Sequence, residues 1–168
     1  MTTSRLLIRE ITSDDWQGLQ KTALDFCKSE YVVYDMPLPT EDGAIKELTK
    51  KFAESHLFFA VFLKDKAEMI GYVCFHNDGE NYDLGYCFLS DYQGRGYAFE
   101  SCKAVMEHIE QNYTVNSFTA GTALKNIPSV KLLEKLGFVL TGTEMLSFHK
   151  DASGNDIVFE GGNFVKPR

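Results

Sequence analysis

The sequence has no basic run longer than Lys50-Lys51, and its 24 acidic residues outnumber 17 basic ones for a formal charge of −7. A nucleic-acid surface needs clustered lysine and arginine, so nucleic acid is not an expected partner. The opening stretch, MTTSRLLIRE, offers only a short apolar patch broken by Arg9, too little for a signal peptide or a membrane span. A cytoplasmic protein with no membrane partner is expected. Cys27, Cys74, Cys87 and Cys102 form no C-x-x-C pair and sit among apolar neighbours, which reads as buried free thiols rather than a disulfide framework. His56, His76, His108 and His149 are equally scattered and offer no ligand spacing, so no metal site is expected.

What remains is a chain of 168 residues, 44% hydrophobic, long enough to bury a core as a single domain over 1–168. Residues 5–11 (RLLIREI) alternate as a first strand, and Ser13 is placed to cap a helix whose acidic first turn suits the helix dipole. The stretch SEYVVYDMPLP (29–39) reads as a loop, after which Thr40 can cap a second helix. LFFAVFL, MIGYVCF and YDLGYCFL follow as three sequential antiparallel strands, the last two joined across an Asp78-Gly79 hairpin signal. From Tyr97 the period becomes helical, with Ala98, Cys102, Val105, Met106 and Ile109 on one face. Residues 115–122 return to strand, Asn126 caps a fourth helix with Pro128 in its first turn and Gly137 at its end, and a closing hairpin turns at KDASGN. The order β-α-α-β-β-β-α-β-α-β-β describes a mixed α/β (α+β) layer: a mostly antiparallel sheet of about seven strands flanked by about four helices.

The chemical signal is QGRGYA, residues 93–98, where a strand runs through two glycines into a helix. A helix start leaves backbone N–H groups unpartnered and carries positive partial charge, so an anion can sit there. Gly94 and Gly96 let it approach the main chain and Arg95 adds charge, which makes the loop a diphosphate cradle or else a turn that needs glycine. It is neither a dinucleotide fingerprint, which would need a small residue at Phe99, nor a P-loop, which would need a Lys-Ser/Thr pair.

About thirty residues on stands NIPSVKLLEKLGF. Gln93-x-x-Gly96-x-Ala98 followed by Asn126, Ser129, Leu132, Gly137 and Phe138 resembles the GNAT superfamily of N-acetyltransferases, and SRLLIREIT with DLGYCF resembles its ribosomal-protein N-acetyltransferase branch. The resemblance implies a sheet splayed at the cofactor site. Acetyl-CoA would lie between the strand ending at Leu89 and the strand 115–122, its diphosphate on the amides of Gln93, Gly94, Arg95, Gly96, Tyr97 and Ala98. Its pantetheine arm would pair with main-chain groups of Phe88 and Leu89 like an added strand. Gln93 either contacts the donor or braces the loop, and Asn126 caps its helix, contacts the arm, or does both.

An amine acceptor is mostly protonated near neutral pH, so transfer needs a base, an oxyanion site and a donor for the departing thiolate. Asp83, on the strand leading to the cradle, is the candidate base or else an exposed strand carboxylate, with Glu80 next in line. Many members of the superfamily carry a tyrosine for the thiolate where this chain has Leu133. Ser129 is the nearest polar candidate, or a helix-start residue only, while Tyr86 and Tyr97 read as packing aromatics rather than acids. Tyr31, Tyr34 and Asp35 are candidates to line the acceptor groove. The acceptor is expected to be a protein or peptide N-terminus ahead of a polyamine or antibiotic amine, the alternative being a silent acyl-CoA-binding module. A homodimer is compatible with the family.

Overall fold

The computed structural model describes residues 1–167. One open sheet holds β1 (Leu6–Glu10), β2 (Phe58–Leu63), β3 (Met69–Asp78), β4 (Asn81–Phe88), β5 (Ser117–Ala123), β6 (Val139–Leu146) and β7 (Phe159–Pro167), in the spatial order β1-β2-β3-β4-β5-β7-β6. Every neighbouring pair is antiparallel except β4 with β5. With α1 (Trp16–Phe26), α2 (Asp42–Ser55), α3 (Tyr97–Asn112) and α4 (Ile127–Leu136), this is the expected mixed fold.

The central strands are apolar on both faces because both are covered. Along β2, Phe59 and Val61 face a cluster with Val105, Met106 and Ile109 of α3, while Phe58 and Ala60 face Leu19 of α1 and Ile45 of α2. Cys102, Val105, Met106 and Ile109 recur at helical spacing and are all buried, which pins α3 to the sheet by one stripe. Fully burying side chains of this size stabilises by about 1.5–3 kcal/mol each.

Three local expectations are corrected. The first helix is entered through a 3-10 turn, Ser13–Asp15, whose cap is Thr12 rather than Ser13; the Asp15 carboxylate turns back to accept from the Thr12 N–H (2.7 Å) and hydroxyl (2.9 Å). α2 begins after Glu41, not Thr40, because Gln20 of α1 donates to both the Thr40 carbonyl (2.7 Å) and Asp42 Oδ1 (2.8 Å), a tertiary tie that outranks local capping preference. Cys27 is exposed at the end of α1, whereas Cys74 and Cys102 are buried. The loop after α1 contains a further 3-10 turn, Glu30–Tyr34, opened by Ser29, whose hydroxyl accepts from the Tyr31 N–H at 3.2 Å. Residues 147–158 join β6 to β7 and carry the expected turn at KDASGN, where Lys150 and Asp156 bridge antiparallel and the Asp151 N–H donates to the Asn155 carbonyl at 2.8 Å.

Candidate active site

β4 and β5 pair only from Asn81↔Ser117 to Asp83↔Thr119 and then part, β5 continuing along β7 as far as Ala123↔Gly161. The Leu89 N–H donates to the Ile70 carbonyl at 2.9 Å, and antiparallel pairing alternates, so Leu84, Tyr86 and Phe88 turn their main-chain groups away from β3 into the gap. The gap opens into a cleft of about 680 Å³, within the usual size for a small-molecule site.

At its mouth the cradle takes the form the glycines permit. Gly94 (φ 71°) and Gly96 (φ 80°) are both left-handed, and Gly96 is the cap of α3, so the unpaired first amides of the helix follow two residues that carry no side chain at the cleft. Gln93 Nε2 donates to the Phe88 carbonyl at 2.8 Å, bracing the loop against the end of β4. Arg5 braces it from outside, donating to the Arg95 carbonyl at 2.9 Å and pairing with Glu100 at 2.6 Å. Gly94, Gly96, Tyr97, Ala98, Phe88, Gln93, Asn126 and Ser129 all line the cleft. Arg95 and Leu89 do not: the Arg95 guanidinium lies 5.9 Å from the centroid of the Tyr92 ring, and Leu89 is buried with its N–H already used.

α4 closes the other side. Asn126 caps it, its side chain accepting from the Ser129 N–H at 3.3 Å, and Ser129 Oγ lies 2.8 Å from Tyr86 Oη. Burial raises the Tyr86 phenol well above its ordinary pKa, against the opposing pull of Ser129, so the phenol is neutral and able to donate across the physiological range. Leu133 is buried, and the phenol that reaches α4 is that of Tyr86, from the strand. Lys131 and Lys135, one helical turn apart on α4, also line the cleft, with Lys135 Nζ 4.2 Å from the Phe99 centroid. Sequence reading missed Tyr86 as a site residue, and it missed the two lysines, whose i, i+4 spacing was the available signal.

The remaining wall belongs to the α1–α2 side of the sheet. Tyr31, Tyr34 and Asp35 line it together with Phe148 and Phe159. Tyr34 and Phe159 lie 5.1 Å apart by centroid, Phe148 and Phe159 5.5 Å. His149 Nε2 donates to the Asp35 carbonyl at 2.7 Å, tying the β6–β7 connection to the loop after α1. Partial desolvation raises the Asp35 carboxyl above the usual carboxylate range, with the Met36 N–H and His149 opposing, while the residue keeps an exposed surface. Burial first, and then the Asp35 charge, push the neighbouring Cys87 thiol up to about 12, which makes that thiol an inert part of the wall.

Asp83 is not brought to this site. It lies where β4 and β5 still pair, outside the cleft lining, and its Oδ1 accepts from the Thr119 hydroxyl at 2.9 Å. Glu80, before the start of β4, is likewise outside. Among the described residues there is no cluster of metal-ligating side chains, and no helix is long and apolar enough to cross a membrane.

The Acetyltransferase (GNAT) domain family matches residues 5–139. The uncharacterized N-acetyltransferase YnaD of Bacillus subtilis is 32% identical over 139 residues, 82% of this chain and 81% of that one. Among solved structures, the ribosomal-protein-S5-alanine acetyltransferase of Vibrio fischeri superposes with a TM-score of 0.85 at 18% identity, over 99% of this chain and 95% of that one. The spermidine N-acetyltransferase of Vibrio cholerae, solved with CoA and spermine, superposes with a TM-score of 0.80 at 17% identity, over 98% and 96%. These last two share the fold. With a family match over most of its length and a relative of this similarity, the chain belongs to the GNAT acetyltransferases, and acetyl-CoA is its acyl donor.

Proposed function

We propose that the chain acetylates a primary amine, a peptide N-terminus ahead of a polyamine or antibiotic, by direct attack on the thioester within the gap between β4 and β5. The observation that carries this is the pairing of Tyr86 with Ser129 at the open edge of β4, on the sheet face opposite Asp35. The donor's diphosphate rests on the amides of 94–98 with Lys131 and Lys135 beside it, and its arm runs along the Tyr86 and Phe88 main chain. Asn126 holds the start of α4 in place beside that arm.

The acceptor enters between the loop after α1 and the β6–β7 connection. Asp35, the one carboxylate among the described lining residues, takes a proton from the ammonium. The freed nitrogen attacks the carbonyl carbon, and the Phe88 N–H, turned into the gap, is placed to hold the oxyanion. The C–N bond forms and the C–S bond breaks while the Tyr86 hydroxyl, oriented by Ser129, donates a hydrogen bond to the sulfur. The proton that nitrogen sheds on becoming an amide neutralises the thiolate, and Asp35 returns its proton to water. A silent CoA-binding module would not need this phenol.

The test is CoA thiol release from acetyl-CoA with the full chain against N-terminal peptides, polyamines and aminoglycosides, with mass spectrometry of the products. Turnover with acetate on the amine is the expected result. CoA binding with no acetylated product from any amine would leave the silent module.

A further inference from the structure

We infer that the acceptor is a singly charged primary amine carried next to a flat apolar group, seated with its ammonium on Asp35 and its apolar part against Tyr34, Phe148 and Phe159. The inference rests on the acetyl-transfer reading above and names the acceptor class for that site. Its first support is the charge of the cleft. Among the described lining residues the formally charged side chains are Asp35, Lys131 and Lys135. The lysines stand on α4, across the cleft from the acceptor wall, and add no negative charge.

A polyamine or an aminoglycoside carries several ammonium groups, and each one drawn out of water without a counter-charge costs several kcal/mol or must shed its proton. Asp35 can answer one. Met36 donates its N–H to Oδ1 at 2.7 Å, His149 holds the Asp35 carbonyl, and Tyr72, Cys74 and Cys87 feel its charge from the sheet. Asp25 also acts on Cys87 and Asp83 on Cys74, but Asp25 is engaged by the Ser90 N–H (2.7 Å) and hydroxyl (3.0 Å), Asp83 by the Thr119 hydroxyl, and neither lines the cleft. Glu30 and Glu160 adjoin lining residues in the chain but do not themselves line the cleft.

The second support is the aromatic wall. Phe159 is 3% exposed and anchors the group, while Phe148 leaves 44% of its surface open, an uncovered ring inside a cleft. Because His149 ties its own connection to the Asp35 carbonyl, the rings from both loops and the carboxylate form one wall. Such a wall covers an apolar group and its ring faces also attract an ammonium, by about 0.5–2 kcal/mol per contact. An arylalkylamine and a peptide beginning with Phe share this chemistry, each with two carbons between ammonium and ring.

The full chain is assayed for CoA release from acetyl-CoA with 2-phenylethylamine, butylamine, spermidine, and tripeptide amides beginning with Phe or Ser. The value of kcat/KM for 2-phenylethylamine or the Phe peptide is expected to exceed those for butylamine, the Ser peptide and spermidine by about tenfold or more, the margin that one buried ring contact of this kind supports. Phe148→Ala, at an exposed position where truncation spares the core, is expected to remove most of that margin. Preference for the free amine or for the Phe peptide assigns the source, and either upholds the class. Spermidine turnover equal to the best aryl acceptor, or a margin that survives Phe148→Ala, overturns the class while acetyl transfer stands. The same amines are titrated calorimetrically into the chain saturated with CoA. Aryl-selective binding there, with no product in the first assay, upholds the class and overturns the transfer reading instead.

Discussion

The hydroxyls of Tyr86 and Ser129 lie 2.8 Å apart, one at the open edge of β4 and the other in the first turn of α4. Their contact ties the open edge of β4 to the start of α4, and the proposed reading seats the thioester beside it. Tyr86→Phe is expected to lower kcat by on the order of 10²-fold with CoA affinity nearly unchanged. Ser129→Ala, which leaves the phenol in place but frees it to rotate, should cost about tenfold, the worth of one orienting hydrogen bond. Steady-state kinetics with calorimetry for CoA checks both, and equal rates in Tyr86→Phe and the parent would remove the phenol from the chemistry.

At the cradle, a side chain on Gly96 meets a backbone that is left-handed at φ 80°, while its Cβ would make only an ordinary contact 3.4 Å from Arg5 Nη2. Gly96→Glu is expected to abolish CoA binding through like-charge repulsion of the diphosphate while costing the fold only about 1–2 kcal/mol of backbone strain. Gly94→Ala, where a Cβ meets nothing within 4 Å, isolates the strain alone and should weaken binding less. Calorimetry with CoA and circular dichroism separate loss of the site from loss of the fold.

Asp35 gives a pH signature. Its carboxyl is raised in the folded chain by partial desolvation, so kcat/KM should fall as pH drops through a value above the ordinary carboxylate pKa of about 4. For stability the sign runs the other way: a carboxyl raised on folding contributes fully below its unfolded pKa and loses that contribution as pH rises through its folded one. Asp35→Asn is therefore expected to hold or raise the Tm at pH 7 while lowering kcat/KM by on the order of 10²-fold. Asp83→Asn is expected to lose less. A larger loss in Asp83→Asn, measured across pH 5–9, would return the base to β4.

The entry to α1 is a stability site of opposite sign. Burial opposes ionisation of Asp15, yet Arg9, with two contacts of 2.7 Å, and the Thr12 N–H and hydroxyl outweigh it and hold the carboxyl below its usual value. Its contribution is present above the unfolded pKa of about 4 and is lost as pH falls through the lower folded one. Asp15→Asn should cost about 1–3 kcal/mol at pH 7 by urea denaturation, with the difference from the parent shrinking toward pH 2.

The parts of this molecule that were legible in sequence are those fixed by local chemistry. Gly94 and Gly96 announce a left-handed loop, Asn126 a cap, and the stripe from Cys102 to Ile109 a buried helix face, because each depends on neighbours within about one turn. The Tyr86 role was not legible: its partner is 43 residues away, and an aromatic on an alternating strand reads equally well as packing. Asp83 drew attention for being on the right strand, but where β4 parts from β5 is set by tertiary register that no local pattern encodes, and the parting begins just beyond it. Thr40 failed as a cap for the same reason, since Gln20 on another helix decides where α2 starts.

The parting of β4 and β5 has a mechanical consequence. Eight residue pairs join β3 to β4 and seven join β5 to β7, but only three join β4 to β5. The sheet is thus two stiff plates on a short weld, bridged on one side by the packing of α3 against α4. A donor laid along the gap laces the plates together, so its binding energy is also cohesion of the fold: at a hundredfold excess over Kd it adds about 2.7 kcal/mol to the work of pulling them apart.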